Sequence, residues 1–579
     1  MAKFNLKYEL IFALAAAVSM AAAVTLPYFT QLERVTTMGD VQRALVYRGV
    51  AREGVLQGGK TALWDPYLCG GEPLLANAES AQFDPWFLLV LAFGENLGAR
   101  LSVPATLVLG FLGVYFLSRF VGLTRLPALL AAMIFPFSGF QMLAFANGNF
   151  AWLSIGWIPW FLLFYLMSLE RARWLPVSAL AAAFIWLGGS AHMTVYVFLL
   201  AGFMAVALAI QRRQWRPILM LTMAGVMAML FSAIKLIPAA EVQALSGDFS
   251  RPPGFIPPWS WIPKMFWDRS QLATEQWTFE ATGENFRWIE YGAYVGVVPA
   301  LLFFFGLMRV RRRTMWLAIA AAAVLLFPMI FGWYPWLWLK QVPFLDEILR
   351  NPQRARSVWL LAFGLLAGLG LMNLTRNRWV WAGVVALVLV DLATFHSGLY
   401  SGLFNLERPA LERKPAFERH LVSYTDEERG YYKLGYENYL ANQGTTDLCN
   451  PYLVQRGVHA RGIQSSDPAR PYLGEAYLTE GGEAKLAHIE TNRLVVAAEP
   501  ERAGWLIMNQ NYFPGWKTDP PREVKNFDGR LAARVFPEDR EIIFEYRPRS
   551  YAVGRAITLV ALAGGIIWWR KYRYTTSAW

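Results

Sequence analysis

Apolar segments long enough to cross a membrane recur along this chain, and they limit what it can fold into. Crossing hydrocarbon as a helix takes about 20 apolar residues. Twelve segments reach or approach that length: residues 8–28, 100–120, 126–146, 151–169, 174–189, 191–210, 217–239, 291–309, 314–333, 357–374, 379–397 and 551–569. Lipid offers backbone polar groups no hydrogen-bond partner, so such segments are expected as helices. Composition points the same way: of 579 residues, 55% are hydrophobic, 15% aromatic and only 17% charged, too apolar for an ordinary soluble chain. The first segment, Tyr8 to Phe29, is longer than the apolar stretch of a typical signal peptide. It is read as a retained span despite the alanine-rich run to Ala23.

The formal net charge of +12 is not a nucleic-acid footprint, because the basic residues lie in small clusters at the ends of apolar segments. Lys3 and Lys7, Arg119 and Arg125, Arg171 and Arg173, and Arg212, Arg213 and Arg216 begin the series. Arg309 to Arg313, Arg376 and Arg378, and Arg570, Lys571 and Arg573 complete it. All fall on one side if the spans alternate, which is the positive-inside pattern and predicts both termini in the cytoplasm. Four regions then face outward: residues 30–85, 241–290, 334–356 and a long stretch from 398 to 550. The expected fold class is a polytopic α-helical membrane protein of about 12 transmembrane helices with a β-rich outer domain near its C-terminus. Residues 1–397 form the membrane module with its outer loops, 398–550 the outer domain, and 551–579 the final span and a cytoplasmic tail. Within the outer domain, Leu494–Ala497, Trp505–Met508, Leu531–Phe536 and Glu541–Tyr546 are short apolar or alternating runs. Turn signals such as Pro514-Gly515 and Asp528-Gly529 separate them, predicting a β-sandwich in the later part of that domain.

The first outer loop concentrates acids between spans that carry few: Glu33, Asp40, Glu53, Asp65, Glu72, Glu79 and Asp84. An acid held at a membrane surface beside aromatics and Pro/Gly turns is a site hypothesis. Asp40, about a dozen residues beyond the first span, is placed to act as a general base; it would serve equally as N-cap of a helix over Val41–Val55. Asp65 and Asp84 each precede a proline, a common turn arrangement. Glu79, with Glu72 behind it, is the better second acid. No metal-ligand spacing is present; a divalent cation, Mg or Mn, would need carboxylates from separate loops. Cys69 lies in this loop and Cys449 in the outer domain, both in a compartment that permits a disulfide. Two unpaired thiols are the expectation, because sequence does not supply the separation a disulfide requires.

The outer loop 334–356 breaks the charge rule by carrying Lys340, Arg350, Arg354 and Arg356 beside Asp346 and Glu347. Arginine's planar fork suits phosphate, and lipid-phosphate binding is the expectation for Arg350, Arg354 and Arg356; pairing with the neighbouring acids is the alternative. His192, Lys235 and Asp391 stand near the outer ends of spans. Lys235 either snorkels or joins the phosphate site, Asp391 has Lys235 or the arginines as candidate partners, and His192 is a packing residue or a substrate contact. Trp64 and Tyr67 are candidates for stacking on a sugar ring. No nucleophile motif, P-loop or dinucleotide fingerprint is visible.

Several stretches together carry a resemblance. They are Gly39-Asp40 after the first span, WDPYLCGGEPLLANAESAQFDP from Trp64, FPFSGF from Phe135 and KLIPAAE from Lys235. NPQRARS from Asn351, NYFPGWK from Asn511 and YRPRSYAVG from Tyr546 continue the set, which covers almost the whole chain. In this order the chain resembles the YfhO-type bacterial membrane proteins of the GT-C glycosyltransferase superfamily. The resemblance implies an enzyme of the bacterial cytoplasmic (inner) membrane, multi-pass, with its active face periplasmic or extracellular. It would move a sugar from a polyprenyl-phosphate donor to a glycan, wall polymer or protein acceptor. Asp40 would be the catalytic base or a metal ligand, with Arg350 and Arg354 at the lipid phosphate and inversion by single displacement. His192 stands where a glutamine is expected, and no match fixes the second acid. A flippase or transporter for lipid-linked glycans is the alternative, although no inverted repeat is visible; a non-catalytic assembly factor is another.

Overall fold

The computed structural model describes residues 6–30, 32, 34–35, 41–246, 259–272, 276–278, 285–310, 314–332, 351–399, 406–407, 413–420, 433–445 and 473–572. It is a mostly helical, multi-span membrane protein carrying a C-terminal antiparallel-sheet domain. Among the described residues, eight helices are long and apolar enough to cross a bilayer. They are Lys7–Tyr28, Glu95–Phe120, Arg125–Ala146, Phe150–Glu170, Ala191–Arg212, Pro352–Leu374, Arg378–Ser397 and Arg549–Lys571. The other four expected spans differ in kind. Ala172–Leu187, Val297–Met308 and Met315–Phe331 are shorter apolar helices, and Arg216–Phe231 with Ala233–Leu245 is a pair bent by 81°. At 1.5 Å per residue Val297–Met308 rises only about 18 Å, less than the hydrocarbon thickness.

The bend has a local cause and a tertiary one. Pro238, inside the second helix of the pair, has no N–H to return to the preceding turn. The break is closed by the final helix, where Thr558 accepts the Ile234 N–H at 2.9 Å and Gly554 lets the Ala233 carbonyl approach within 2.3 Å of where a Cβ would stand. Close approach also joins Val297–Met308 to Arg356–Leu374. A Cβ on Gly306 would lie 2.0 Å from the Leu366 carbonyl, and one on Gly370 2.0 Å from that of Leu302. Small residues at such contacts let backbones touch where lipid supplies no hydrophobic drive.

The C-terminal domain is a pair of four-stranded antiparallel sheets. One orders Val524–Phe527, Arg530–Val535, Gly504–Asn511 and Ala476–Leu478; the other orders Trp516–Asp519, Glu541–Tyr546, Arg493–Pro500 and Gly482–Glu490. Alternating residues such as Ile542, Phe544 and Tyr546 point inward with Leu494, Val496, Leu506 and Leu531 to form its core, as a period of two requires. All four strand segments expected from the sequence lie within these sheets.

The first outer loop completes that core. Leu63, Trp64, Leu75 and Ala76 are buried in it, with the Trp64 ring 5.0 Å from both Trp516 and Tyr546. Asn492, at the tip of a β-hairpin, accepts the Leu63 and Trp64 N–H groups at 2.6 and 3.0 Å and donates to Thr61 at 2.8 Å. Cys69 is disulfide-bonded, and the sequence holds one other cysteine, Cys449, outside the described residues. The expectation of two unpaired thiols is therefore corrected.

Candidate functional site at one end of the bundle

Helix Val41–Leu56 lies between the first span and the rest of the first loop, and it carries its own cations. Its apolar positions Val41, Leu45, Val46, Val50 and Ala51 are buried, which leaves Arg43 and Arg48 aimed at neighbouring loops. Arg43 pairs with Glu79 at 3.0 Å, the Glu79 side chain keeping 30% of its exposure. Arg48 donates to the Phe150 carbonyl at 3.3 Å and lies 5.3 Å over the Phe150 ring. Burial pulls its guanidinium down to about 10, against the charges of Asp84 and Glu79. Val41, which follows Asp40 in sequence, packs where a side chain on Gly148 would otherwise go. Asp40 itself and Arg350 lie outside the described residues.

The loop from Asn77 to Asp84 presses on a glycine pair at the end of an apolar helix. Glycine is required there: a Cβ on Gly189 would meet the carbonyls of Glu79 and Ala78 and the Ala151 methyl at 3.1 to 3.3 Å, and φ is +100°. A Cβ on Gly188 would stand 2.9 Å from Asp84 Oδ2. Asp84 Oδ1 accepts the Trp86 N–H at 3.1 Å, and Asp65 Oδ1 accepts the Tyr67 N–H at 2.8 Å; both acids make the proline-linked turns read for them. Burial pushes Asp84 up to about 6 although Arg48 and Lys235 oppose the rise. Burial and the Glu72 charge push Asp65 well above its ordinary range.

Contacts then run from Glu79 to the arginine expected at the phosphate. Ala151 lies against Gly189, and the next residue, Trp152, is stacked on Phe140 at 5.5 Å. Arg354 stands 5.3 Å over the Trp152 ring. Its fork is held bidentately by Glu290, at 2.9 Å from Nε and 2.5 Å from Nη2. Glu290 is the acid described beside it; Asp346 and Glu347 lie outside the described residues. His192 is half-buried on the first turn of Ala191–Arg212; one turn on, Tyr196 donates to the Asn351 carbonyl at 2.9 Å. The first loop, the Gly148–Trp152 segment, the start of this helix and Arg354 therefore meet at one end of the bundle.

The other expected site residues are engaged within the fold. Lys235 is buried, its Nζ donating to the carbonyls of Ala78 and Ser80 and reaching those of Trp186 and Leu187. It neither snorkels nor faces open solvent, because the bend after Phe231 turns it under the first loop. Arg356 is fully buried and donates to the carbonyls of Tyr291 and Ile330, which occupies the fork expected at phosphate. Asp391 pairs with Arg269 and accepts from Tyr294 at 2.8 Å, not with Lys235. Glu72 is buried and accepts from Tyr47 at 2.8 Å and Asn77 at 3.2 Å. Trp64 is enclosed in the sandwich core, and Tyr67 donates to Asn442 at 3.1 Å while accepting from Arg413 at 3.0 Å. Arg43, Arg48 and Glu290 were missed. The rule that exposed Arg350 to Arg356, basic residues on the outward face, applies equally to Arg43 and Arg48. Among the described residues, no three His, Cys, Asp or Glu side chains are grouped as a metal site, and Glu79 pairs with Arg43.

No family model matches the chain, and no curated protein matches it. Solved structures do. ArnT from Cupriavidus metallidurans, bound to undecaprenyl phosphate, is similar at a TM-score of 0.45 and 14% identity, over 83% of this chain and 97% of that one. The oligosaccharyltransferase AglB from Archaeoglobus fulgidus gives 0.43 and 13%, over 79% and 66%. The arabinofuranosyltransferase AftD from Mycobacteria gives 0.41 and 17%, over 67% of this chain and 27% of that one. The chain thus spans about a quarter of AftD and just under two thirds of AglB.

Proposed function

We propose that this chain is a GT-C-type glycosyltransferase of the bacterial cytoplasmic membrane. It moves a sugar from a polyprenyl-phosphate donor to a cell-envelope acceptor on the outer face. The observation that carries this reading is that the backbone at Glu79 and the Ala151-Trp152 segment both pack on Gly189, with Arg354 over the Trp152 ring, so that an acid-bearing loop and a fixed guanidinium share one end of the spans. In the reaction Asp40 takes the proton of the acceptor hydroxyl or amine, and the freed electron pair attacks the anomeric carbon. The bond from that carbon to the phosphate oxygen breaks with inversion, and the polyprenyl phosphate leaves with the electron pair. Arg354, oriented by Glu290, meets the charge growing on the phosphate together with Arg350. Glu79, fixed by Arg43, holds the acceptor. Trp152 offers a ring to the sugar.

Purified protein is to be assayed for transfer of labelled sugar from a panel of polyprenyl-phosphate sugars to an envelope acceptor fraction, with and without a chelator. Transfer by the wild type is expected. Arg354→Ala should raise the donor KM at least about tenfold, the worth of one charge-assisted hydrogen bond at about 1.5 kcal/mol or more. The chelator arm reads whether a divalent cation takes part. Absence of transfer across a broad panel, with lipid binding intact, contradicts the proposal and moves the reading to a flippase or assembly factor.

A further inference from the structure

A second cleft, apart from the site above, opens between the first loop and the sandwich and encloses about 1080 Å³. One wall is the end of helix Val41–Leu56 and its turn, from Glu53 to Thr61; the other is the hairpin from Leu486 to Arg493. Its floor reaches Tyr551 and Arg555, in the first two turns of the last membrane-spanning helix. The volume slightly exceeds the range that encloses a drug-sized ligand, about 300–1000 Å³, so it suits several sugar rings rather than one.

The lining has a sign. Six lysine and arginine side chains face three glutamates, and each glutamate already has a partner. Arg413 holds Glu53 at 2.8 Å, Arg547 pairs with Glu545, and Glu490, which the His488 ring meets at 2.9 Å, stands opposite Arg493 in the hairpin. Lys414 is met by Glu418 at 2.6 Å. The surplus falls on Lys60 and Arg555. Between them stand half-buried rings, Phe417 and Tyr551, and side-chain amides such as Asn442 and Asn492. Cations and rings, one of them carrying a hydroxyl, together recognise a saccharide that carries acid groups.

We infer that this cleft binds an anionic oligosaccharide and is the acceptor subsite of the proposed transfer. The inference deepens that reading and rests on it for the word acceptor. The placement supports it: Glu53 at the cleft and Arg43 at the Glu79 pair lie ten residues apart on one helix, about 15 Å at 1.5 Å per residue. An extended saccharide seated in the cleft would reach along the helix toward the acid. The sandwich, whose core is closed by the first loop, then serves as the outer wall of the subsite.

Binding is to be measured by calorimetry on the full-length protein in nanodiscs of neutral lipid, with no donor present, so a failure of transferase activity leaves the result readable. The probes are tetragalacturonate, a phosphorylated tetrasaccharide and neutral maltotetraose. At least one acidic probe is expected to bind at least tenfold more tightly than maltotetraose. The Lys60→Ala, Arg555→Ala double variant should weaken that binding at least tenfold. Ala487→Trp, which puts a ring into the cleft from an exposed position, should abolish it, with thermal unfolding unchanged in both. Equal binding of neutral and acidic probes, no binding of either acidic probe, or indifference to Ala487→Trp overturns the inference. If nanodiscs containing phosphatidylglycerol block the acidic probe through Lys60 and Arg555, the cleft is a lipid-headgroup site and the inference is likewise overturned.

Discussion

Asp84 shows how much of the first loop is held by buried polar groups rather than by solvent. Its carboxyl titrates near 3.8 when unfolded and near 6 in the fold, so the folded state binds the proton more tightly. The stability tied to that proton is whole below pH 3.8 and is lost as pH rises through 6. Asp84→Asn cannot ionise and still accepts the Trp86 N–H. It is expected to raise thermal stability at pH 7.5, by on the order of 3 kcal/mol for a carboxyl raised from 3.8 to about 6, and to change little at pH 4. An equal effect at both pH values would mean that titration of Asp84 is not the cause. At this scale the sequence was partly legible. The Asp-Pro turns follow from local chemistry and could be read. Lys235 and Arg356 could not, because what binds them is a set of carbonyls from distant segments that only the folded chain assembles.

Elements show the same division between local and non-local causes. The sandwich strands were legible because alternation and turn residues are local, and the eight long spans because hydrocarbon thickness fixes their length. That Trp64 closes the sandwich was not legible, since a tryptophan in a polar loop reads equally well as a sugar platform. Trp64→Ala should cost about 3–5 kcal/mol, the usual range for emptying a large core position. Faster proteolysis at the first loop would accompany the loss; unchanged thermal unfolding would show that the loop does not hold the domain. At the helix contact, Gly306→Ala puts a methyl 2.0 Å from the Leu366 carbonyl and should cost about 1–3 kcal/mol by overpacking. A variant as stable as the wild type would show that these two helices do not pack as closely as described.

For the molecule as a whole, helices carry the site at one end of the bundle, and the sandwich, joined to the first loop, stands beside it. The spans were legible as apolar length, and the break in the seventh was not, because its cause is a proline together with the final helix packed against it. The disulfide at Cys69 was likewise invisible without separation. The central claim is that an acid at the start of helix Val41–Leu56 performs chemistry that the rest of the site only positions. The most direct measurement compares wild type and Asp40→Asn in single-turnover sugar transfer, with binding of the polyprenyl-phosphate donor measured on the same preparations. The account predicts transfer lowered at least about 100-fold, the lower end of what a general base contributes, with donor binding held within about twofold. Transfer at the wild-type rate by a folded Asp40→Asn protein would contradict it.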